Sequence, residues 1–448
     1  MEQKRSSFTG KIGFVLAAAG SAVGLGNIWR FPYLAAKYGG GIFLLVYIIL
    51  AVTFGFSLMV AEIAIGRKTG LSPLGAFEKL NKKFAFIGVL GALIPALILP
   101  YYSVIGGWVL KYFAAFISGN GESAAADGYF GEFIGGVGEP ILWFMVFIVI
   151  TMLVVLLGVE KGIEKVSKIM RPVLVVLSLF IAIYGLFAPG AIDGLIYYIK
   201  PDFSHFSVMT VVAAMGQLFY SMSLAMGIMI TYGSYMKKDV SIEKSVHQIE
   251  IFDTGIAFFA GLMIIPATFA FADGNVGAGP SLMFVTLPKV FEHMAGGQVI
   301  GVLFFVLVLL AALTSSISLA ETVVSVIADK LKIDRKWICL IVLGGCIVLG
   351  LPSALGYGLW GGVTIIGMQF LDFFDFVSNS ILMPIVAILT CIFIGFILKP
   401  KAVIEEVEIS APFKAKNLFT VVIKYVAPIC LVAILVSSIL TAFGVISI

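Results

Sequence analysis

The chain alternates long apolar segments with short polar connections. A membrane-spanning helix needs about 20 consecutive, predominantly apolar residues, and eleven segments of the sequence have this character. They are centred near residues 23, 52, 100, 149, 178, 221, 258, 312, 344, 385 and 431. The pattern predicts an all-α membrane protein with eleven transmembrane helices.

The positions of the basic residues predict how the chain is oriented in the membrane. Cytoplasmic connections of membrane proteins are enriched in Lys and Arg. Here 23 of the 29 basic residues lie in the N-terminal segment and in alternate connections, with runs at 67–83, 161–171 and 330–336. The connection 118–140 has no Lys or Arg and carries four acidic residues. We therefore expect a multi-pass protein of the cell inner (plasma) membrane, with its N-terminus in the cytoplasm and its C-terminus outside.

The composition supports a single transmembrane domain that spans residues 1–448. Hydrophobic residues make up 60% of the chain and charged residues 12%, whereas about a quarter of the residues of a soluble domain are charged. The net charge of +4 follows from the orientation, so it does not indicate a nucleic-acid partner. The four cysteines lie in apolar segments and the three histidines are scattered. This pattern favours cysteines packed in the core over a metal site or a catalytic centre.

Two of the apolar segments are poor continuous helices. Residues 17–32 read AAAGSAVGLGNIWRFP, and residues 216–227 read GQLFYSMSLAMG. Glycine and proline cost about 1 and 3 kcal/mol relative to alanine inside a helix, although glycine and serine in membrane helices also serve close helix packing. These are the first and the sixth segments, so they occupy the same position in two halves of five helices each. Inverted-repeat transporters keep discontinuous helices and their binding site at such positions. The sequence therefore predicts a transporter of a small organic solute.

Several motifs resemble those of one known family. The run GSAVGLGNIWRFPY, together with LMVAEIAIGR at 58–67, ITYGSY at 230–235 and ALTSSISLAE at 312–321, is similar to the neurotransmitter:sodium symporters, particularly their bacterial amino-acid members. The resemblance covers nearly the whole chain, although the family's usual twelfth helix is absent. It implies an inverted five-plus-five helix repeat with broken first and sixth helices, in which 11–200 form the first repeat, 207–398 the second and 417–443 the eleventh helix.

The resemblance also implies two sodium ions, each held by oxygen ligands. The first ion would use the Ala22 carbonyl, the side chains of Asn27, Ser221 and Asp253, and the substrate carboxylate. The second would use the carbonyls of Gly20, Val23 and Ala311 and the hydroxyls of Thr314 and Ser315. From the sequence alone, these two hydroxyls are also compatible with helix packing. Chloride-dependent relatives borrow an anion to balance sodium. The fixed carboxylate of Asp253 makes an anion unnecessary, so no chloride is expected.

The implied substrate is a neutral L-amino acid, and a large hydrophobic or aromatic one is favoured. Its carboxylate would bind the amides of Leu25 and Gly26 at a half-helix N-terminus. Gly24 stands where monoamine carriers of the family have an Asp, which favours an amino acid over an amine. The substrate-binding residues implied by the resemblance are Ala22, Leu25, Gly26, Ile98, Tyr102, Tyr220, Ser221, Ser223, Met226, Ser315 and Leu319.

The resemblance assigns moving parts as well. An outer gate would pair Arg30 with Asp375, with Asp372 as the alternative acid, and an inner gate would pair Arg5 with Asp329. The buried acid Glu62 would accept hydrogen bonds from amides freed in the broken sixth helix. Gly162 and Pro172, which are separated by nine residues after the fourth segment, resemble a hinge that unwinds the start of the fifth helix.

Other functions remain open at this stage. A proton-coupled carrier could titrate Asp253 or Glu321, and a channel or nutrient sensor could use the same scaffold. An intramembrane hydrolase using Ser315 or Ser316 is disfavoured, because no histidine or paired catalytic carboxylate lies on a matching segment. We expect that the protein is not an enzyme, and its function does not require an oligomer.

Overall fold

The computed structural model describes residues 7–271, 279–331 and 333–445. These ranges contain helices and connections and no β-strand. Thirteen helical segments carry the architecture. They are α1 (Lys11–Ala22), α2 (Gly26–Lys37), α3 (Gly41–Thr69), α4 (Lys82–Ile117), α5 (Gly138–Leu156), α6 (Val159–Gly185), α7 (Val208–Ser221), α8 (Ile228–Ser234), α9 (Ile242–Phe271), α10 (Gly297–Leu331), α11 (Arg335–Leu355), α12 (Phe370–Leu398) and α13 (Lys416–Ala442).

The helix lengths agree with a multi-pass membrane protein. Within the described ranges, nine helices are long and apolar enough to cross a bilayer, and the bent pair of α1 and α2 raises the number to ten. Helix α7 is apolar but has only 14 residues, which is too short for a bilayer about 30 Å thick. The predicted eleven helices therefore require α7 and α8 to form one interrupted span.

The first break separates α1 from α2, whose axes differ by 54°. Val23 leaves the helical conformation, with φ −76° and ψ 101°. The Asn27 side chain accepts a hydrogen bond from the Gly24 amide over 3.1 Å. This bond satisfies a backbone donor that the interruption frees, as a cap does at a helix end. The interruption predicted from the glycines and the asparagine lies here.

The second break lies between α7 and α8. Ser223, Ala225 and Gly227 all have positive φ angles, of 53°, 59° and 72°, a conformation that costs non-glycine residues energy. The Ala225 amide donates to Glu62 Oε1 over 2.6 Å. A carboxylate of α3 thus accepts from a backbone group that the break exposes.

The two breaks face each other at the centre of the molecule. The Ser21 and Ser223 hydroxyl oxygens are 3.1 Å apart, and Ser223 also donates to the Ser21 carbonyl over 2.9 Å. Helix α1 packs against α6, α9 and α10, and α10 packs against α4 and α5. Long helices therefore enclose both breaks.

Two motif glycines bring α3 and α8 into close contact. A Cβ atom on Gly66 would lie 1.9 Å from the Ile230 carbonyl oxygen, and one on Gly233 would lie 2.4 Å from the Ile63 carbonyl oxygen. Such backbone contact is the usual role of small residues between membrane helices.

The outer surfaces of the molecule are apolar, with exposed side chains such as Ile169, Val176 and Ile429 on α6 and α13. Exposed apolar residues of this kind fit a surface that faces lipid.

Candidate functional site

A cavity lies between the two helix breaks. All eleven residues that the sequence assigned to the substrate line it. Four further residues line it as well, namely Ser21, Gly24, Asn27 and Ile228. The structure thus brings together residues from α1, α2, α4, α7, α8 and α10 and the two breaks.

One end of the cavity is polar. The Leu25 amide points at the Tyr102 hydroxyl, with a nitrogen-to-oxygen distance of 3.4 Å, and α2 begins at the next residue. A helix N-terminus attracts negative charge through its free amides and its dipole. A Cβ atom on Gly26 would lie 2.6 Å from the Tyr220 ring, so the missing side chain lets the ring lie against the backbone. This end suits a carboxylate.

The other end of the cavity is apolar, with the side chains of Ile98, Met226, Ile228 and Leu319. These residues are all at least 95% buried. The Arg30 guanidinium stacks over the Tyr220 ring at 5.6 Å from the ring centroid. An apolar wall opposite a polar end is the arrangement of a site for an amphipathic small molecule.

Asp253 of α9 lies at the centre of a buried group of oxygen atoms beside the cavity. Its Oδ1 accepts from Asn27 Nδ2 over 2.7 Å, and its Oδ2 accepts from Ser221 Oγ over 3.2 Å. Tyr47 of α3 donates to Oδ2 over 3.1 Å and lies 2.8 Å from the Ser221 hydroxyl. Asn27, Ser221 and Asp253 therefore meet as the resemblance implied. Tyr47 is an addition, because the sequence shows only a tyrosine among apolar residues.

A second group of oxygens connects α10 to the end of α1. The Ser315 hydroxyl lies 3.4 Å from the Gly20 carbonyl and 3.3 Å from the Val23 carbonyl. The Thr314 hydroxyl donates within its own helix to the Ala311 carbonyl over 3.1 Å. The five residues assigned to a second sodium ion thus come from two adjacent helices.

An unexpected cation lies beside this second group. Arg171 of α6, counted above in a run of cytoplasmic basic residues, is 95% buried. It lines a small cavity together with Gly20, Val23 and Thr314. In the part of the chain that the structure describes, neither terminal nitrogen of the guanidinium has a hydrogen-bond partner. This residue did not stand out in the sequence, because Lys161, Lys165 and Lys168 precede it and made it appear part of a charged connection.

The predicted outer gate is not closed by a direct ion pair. Among the described residues, no salt bridge joins Arg30 to Asp375. Asp375 Oδ1 instead accepts from the Tyr101 hydroxyl over 3.1 Å and from Asn379 Nδ2 over 2.6 Å. The alternative acid, Asp372, lies 3.5 Å from the Tyr357 hydroxyl. The pairing of Arg30 with Asp375 stays a prediction for another state of the gate.

The inner gate is only partly described. Arg5 lies outside the described residues. Its predicted partner Asp329 accepts from the Ser72 amide over 2.8 Å and from the Ser72 hydroxyl over 2.5 Å. A further contact of the N-terminal segment is clear, because the Thr9 amide donates to Glu164 Oε2 over 2.9 Å.

The predicted hinge lies where α6 begins. Gly162 is in a wide helical turn, Val159–Glu164, which precedes the regular part of the helix. Pro172 is inside the regular part, where it leaves one carbonyl without its helical donor. Irregular turns of this kind mark positions where a helix can change its length.

Within the described residues, no group of three or more His, Cys, Asp or Glu side chains could hold a metal ion. The Ser316 hydroxyl lies 2.9 Å from that of Thr151, which is not a base that could activate it. The oxygen groups beside the cavity are instead the ligands that a hard monovalent cation prefers.

Comparisons with known proteins agree with this geometry. A sequence model described as the sodium:neurotransmitter symporter family matches residues 5–121 and 130–445. A sodium-dependent transporter of Haemophilus influenzae is 32% identical over 97% of this chain and 98% of its own length. A sodium-dependent transporter of Bacillus subtilis is 35% identical over 91% of each chain. The crystal structure of MhsT in complex with L-phenylalanine is similar with a TM-score of 0.87 and 37% identity, covering 97% of this chain and all of that one.

Proposed function

The chain belongs to the sodium:neurotransmitter symporter family, and on this premise we propose that it carries a neutral, hydrophobic or aromatic L-amino acid into the cell together with sodium. It is a sodium-dependent membrane transporter and not an enzyme. The observation that carries the proposal is the cavity between the two helix breaks, with backbone donors at one end and apolar side chains at the other.

The polar end favours a carboxylate over an amine. A Cβ atom on Gly24 would lie 2.7 Å from the Ser315 hydroxyl and 3.2 Å from that of Tyr102. An acidic side chain at this position, which would receive an amine that lacks its own carboxylate, therefore has no room. The N-terminus of α2 can bind the carboxylate that the substrate itself brings. An amino acid satisfies both conditions.

The apolar end supports a large side chain. Met226 is unbranched and adaptable, so it can yield space to an aromatic ring. Tyr102 and Tyr220 also line the cavity and give it aromatic surface. The structure of MhsT contains L-phenylalanine, and its similarity to this chain supports a substrate of the same class.

The oxygen group around Asp253 supports a sodium ion that binds next to the substrate. The carboxylate and the side chains of Asn27 and Ser221 are hard ligands suited to sodium. A permanent negative charge at this place removes the need for a bound chloride ion. We therefore propose chloride-independent transport.

Alternating access to this cavity would couple uptake to the sodium gradient and to the membrane potential. In the proposed orientation the N-terminus lies on the cytoplasmic side of the cell inner membrane. Each sodium ion carried inward then contributes about 2.3 kcal/mol per 100 mV of membrane potential. This corresponds to roughly fiftyfold accumulation per ion before the concentration gradient of sodium is added. A zwitterionic substrate adds no charge of its own.

Uptake by the purified protein in proteoliposomes tests the proposal. A panel of radiolabelled amino acids is offered with sodium outside, with potassium in its place, and with gluconate in place of chloride. We expect sodium-dependent uptake of leucine, phenylalanine, tyrosine or tryptophan that gluconate does not change. Uptake that persists in potassium and follows an imposed pH gradient would support a proton-coupled carrier instead.

A single substitution tests the role of the apolar end. Met226→Phe should reduce the space for an aromatic side chain and shift the preference towards leucine. Competition of unlabelled tryptophan and leucine against the labelled substrate measures this shift. Met209→Phe, at a partly exposed residue in the first turn of α7, is a control that should leave the preference unchanged. An unaltered preference in Met226→Phe would remove this residue from the site.

A further inference from the structure

We propose that the Arg171 guanidinium is a resident cation at the position where a second sodium ion is expected, so that the protein carries one sodium ion per substrate molecule. This inference rests on the proposed function and replaces the two sodium ions that the resemblance implies with one. It concerns a residue that neither the sequence motifs nor the comparisons assign to any role.

The position of the guanidinium is the first argument. A Cβ atom built on Gly20 would lie 2.6 Å from Arg171 Nη2, 3.3 Å from its Nε and 3.3 Å from Thr314 Cβ. The guanidinium therefore packs directly on the Gly20 backbone beside the Thr314 side chain. Val23 lines the same cavity. Three of the five residues expected to bind the second sodium ion thus line the same cavity as the guanidinium.

The lack of a counter-charge is the second argument. A buried guanidinium in a protein is normally paired with a carboxylate. In the described part of the chain, Arg171 has no such partner, and its guanidinium lies over the Phe252 ring, 5.7 Å from the ring centroid. The carboxylate that follows in the chain, Asp253, is directed to Asn27 and Ser221 instead. Among the described residues, the guanidinium thus has no negative partner and lies next to Gly20, Val23 and Thr314, which are expected to bind a cation.

The balance of charge is the third argument. The loaded site would contain two negative groups, the Asp253 carboxylate and the substrate carboxylate. The guanidinium, the substrate ammonium and one sodium ion supply three positive charges, so the site loaded with one ion already carries one net positive charge. A second sodium ion would add an unbalanced positive charge next to a guanidinium in a medium of low dielectric constant, where like charges repel strongly. One ion is therefore the stoichiometry that the charges favour.

The geometry also assigns a task to the cation. The end of α1 at Gly20 and Val23 and the α10 hydroxyls at Thr314 and Ser315 must be held together while the cavity is closed. A sodium ion would do this only when bound, whereas the guanidinium is always present. Because Arg171 immediately precedes Pro172, movement of the α6 hinge would carry the cation away from α1. Movement of the hinge would then take the place of the release of a second sodium ion in freeing α1 from α10.

The number of sodium ions per substrate tests the proposal directly. Initial uptake of ²²Na⁺ and of labelled substrate is measured in parallel in proteoliposomes, and the sodium dependence of uptake gives a Hill coefficient. We expect a flux ratio of one and a Hill coefficient near one in the unaltered protein. A ratio of two would overturn the proposal.

Two substitutions sharpen the test. Arg171→Met keeps an unbranched side chain without the charge and should raise the flux ratio and the Hill coefficient from one towards two. Arg171→Lys keeps the charge and should leave both at one. Lys165→Met, which removes an exposed cation from the same helix, is the matched control with no change. A ratio that remains one in a folded, active Arg171→Met would overturn the proposal, and the unaltered protein decides it if that variant does not fold.

Failure of the proposed function and failure of the inference about Arg171 give different results. If no amino acid shows sodium-dependent uptake in any variant, the proposed function fails. If uptake is sodium-coupled at a ratio of two, only the inference about Arg171 fails. Uptake that requires chloride in the unaltered protein and loses this requirement in Arg171→Met would identify the guanidinium as an anion site and overturn its role as a substitute for sodium.

Discussion

Asn27 and Asp253 meet where the first span is interrupted, with the Asn27 amide nitrogen 2.7 Å from Asp253 Oδ1. The same asparagine accepts from the Gly24 amide over 3.1 Å. One side chain therefore both caps the broken helix and orients a buried carboxylate of α9. This relationship links the shape of the break to the charge that a sodium ion would encounter there.

Asp253→Asn should weaken sodium binding, because it removes the only full negative charge among the proposed protein ligands of the first ion while preserving the size of the side chain. Interactions with a charged group are worth about 1.5–3 kcal/mol, so the sodium concentration for half-maximal uptake should rise about tenfold to a hundredfold. Sodium titration of substrate uptake measures the change.

Asp202→Asn is the control for this substitution. Asp202 is exposed in the connection before α7, where it accepts from the Ser204 amide over 2.9 Å. Removal of its charge should leave the sodium dependence unaltered. Equal sodium dependence of Asp253→Asn and the unaltered protein would exclude Asp253 from the sodium site.

Tyr47→Phe tests a residue that the structure adds to the site. Its hydroxyl lies 3.1 Å from Asp253 Oδ2 and 2.8 Å from the Ser221 hydroxyl, so its loss removes one oriented contact from each. A neutral hydrogen bond contributes about 0.5–1.5 kcal/mol, which predicts a twofold to tenfold weaker sodium response. Tyr425→Phe, on an exposed residue of α13, should have no effect. An unaltered sodium titration in Tyr47→Phe would show that the hydroxyl does not orient the ligands.

The candidate site residues that could be predicted from the sequence lie within recognisable motifs. Glycines and an asparagine in an apolar segment indicate a helix break on physical grounds alone, and the cavity lies there. Tyr47 could not be predicted in this way, because a tyrosine in an apolar segment is most often a packing residue. Its role depends on how α3 lies against α7 and α9, which no local pattern encodes.

Arg171 and the helix count illustrate the same limit. A basic residue near the end of a span is normally cytoplasmic or directed to the interface, and only the packing of α6 against α1 buries this one. The apolar pattern also did not show that α7 ends after only 14 residues. Lengths and pairings of this kind follow from tertiary contacts, so they appeared only in the structure.

Pro172→Ala should slow transport without weakening sodium-dependent substrate binding. Alanine supplies the amide that proline lacks and lets α6 form one more helical hydrogen bond, worth about 0.5–1.5 kcal/mol. Unwinding at the start of α6 should become harder and turnover severalfold slower. Turnover in proteoliposomes and equilibrium binding in detergent give the two quantities. Pro352→Ala, inside α11, is the matched control, and normal turnover in Pro172→Ala would count against the hinge.

Glu164→Gln should loosen the contact between α6 and the segment before α1. The Glu164 carboxylate accepts from the amide and the hydroxyl of Thr9 and pairs with Lys168 at 2.7 Å. Glutamine keeps the shape but loses about 1–1.5 kcal/mol of charge-assisted bonding, so the proposed cytoplasmic side should open about tenfold more often. A cysteine introduced at Phe8, which is buried in the closed contact, should then react faster with a soluble maleimide. Glu160→Gln, exposed in the same turn, should not change the rate. Equal rates in both variants would show that the Glu164 contact with Thr9 does not hold the cytoplasmic side closed.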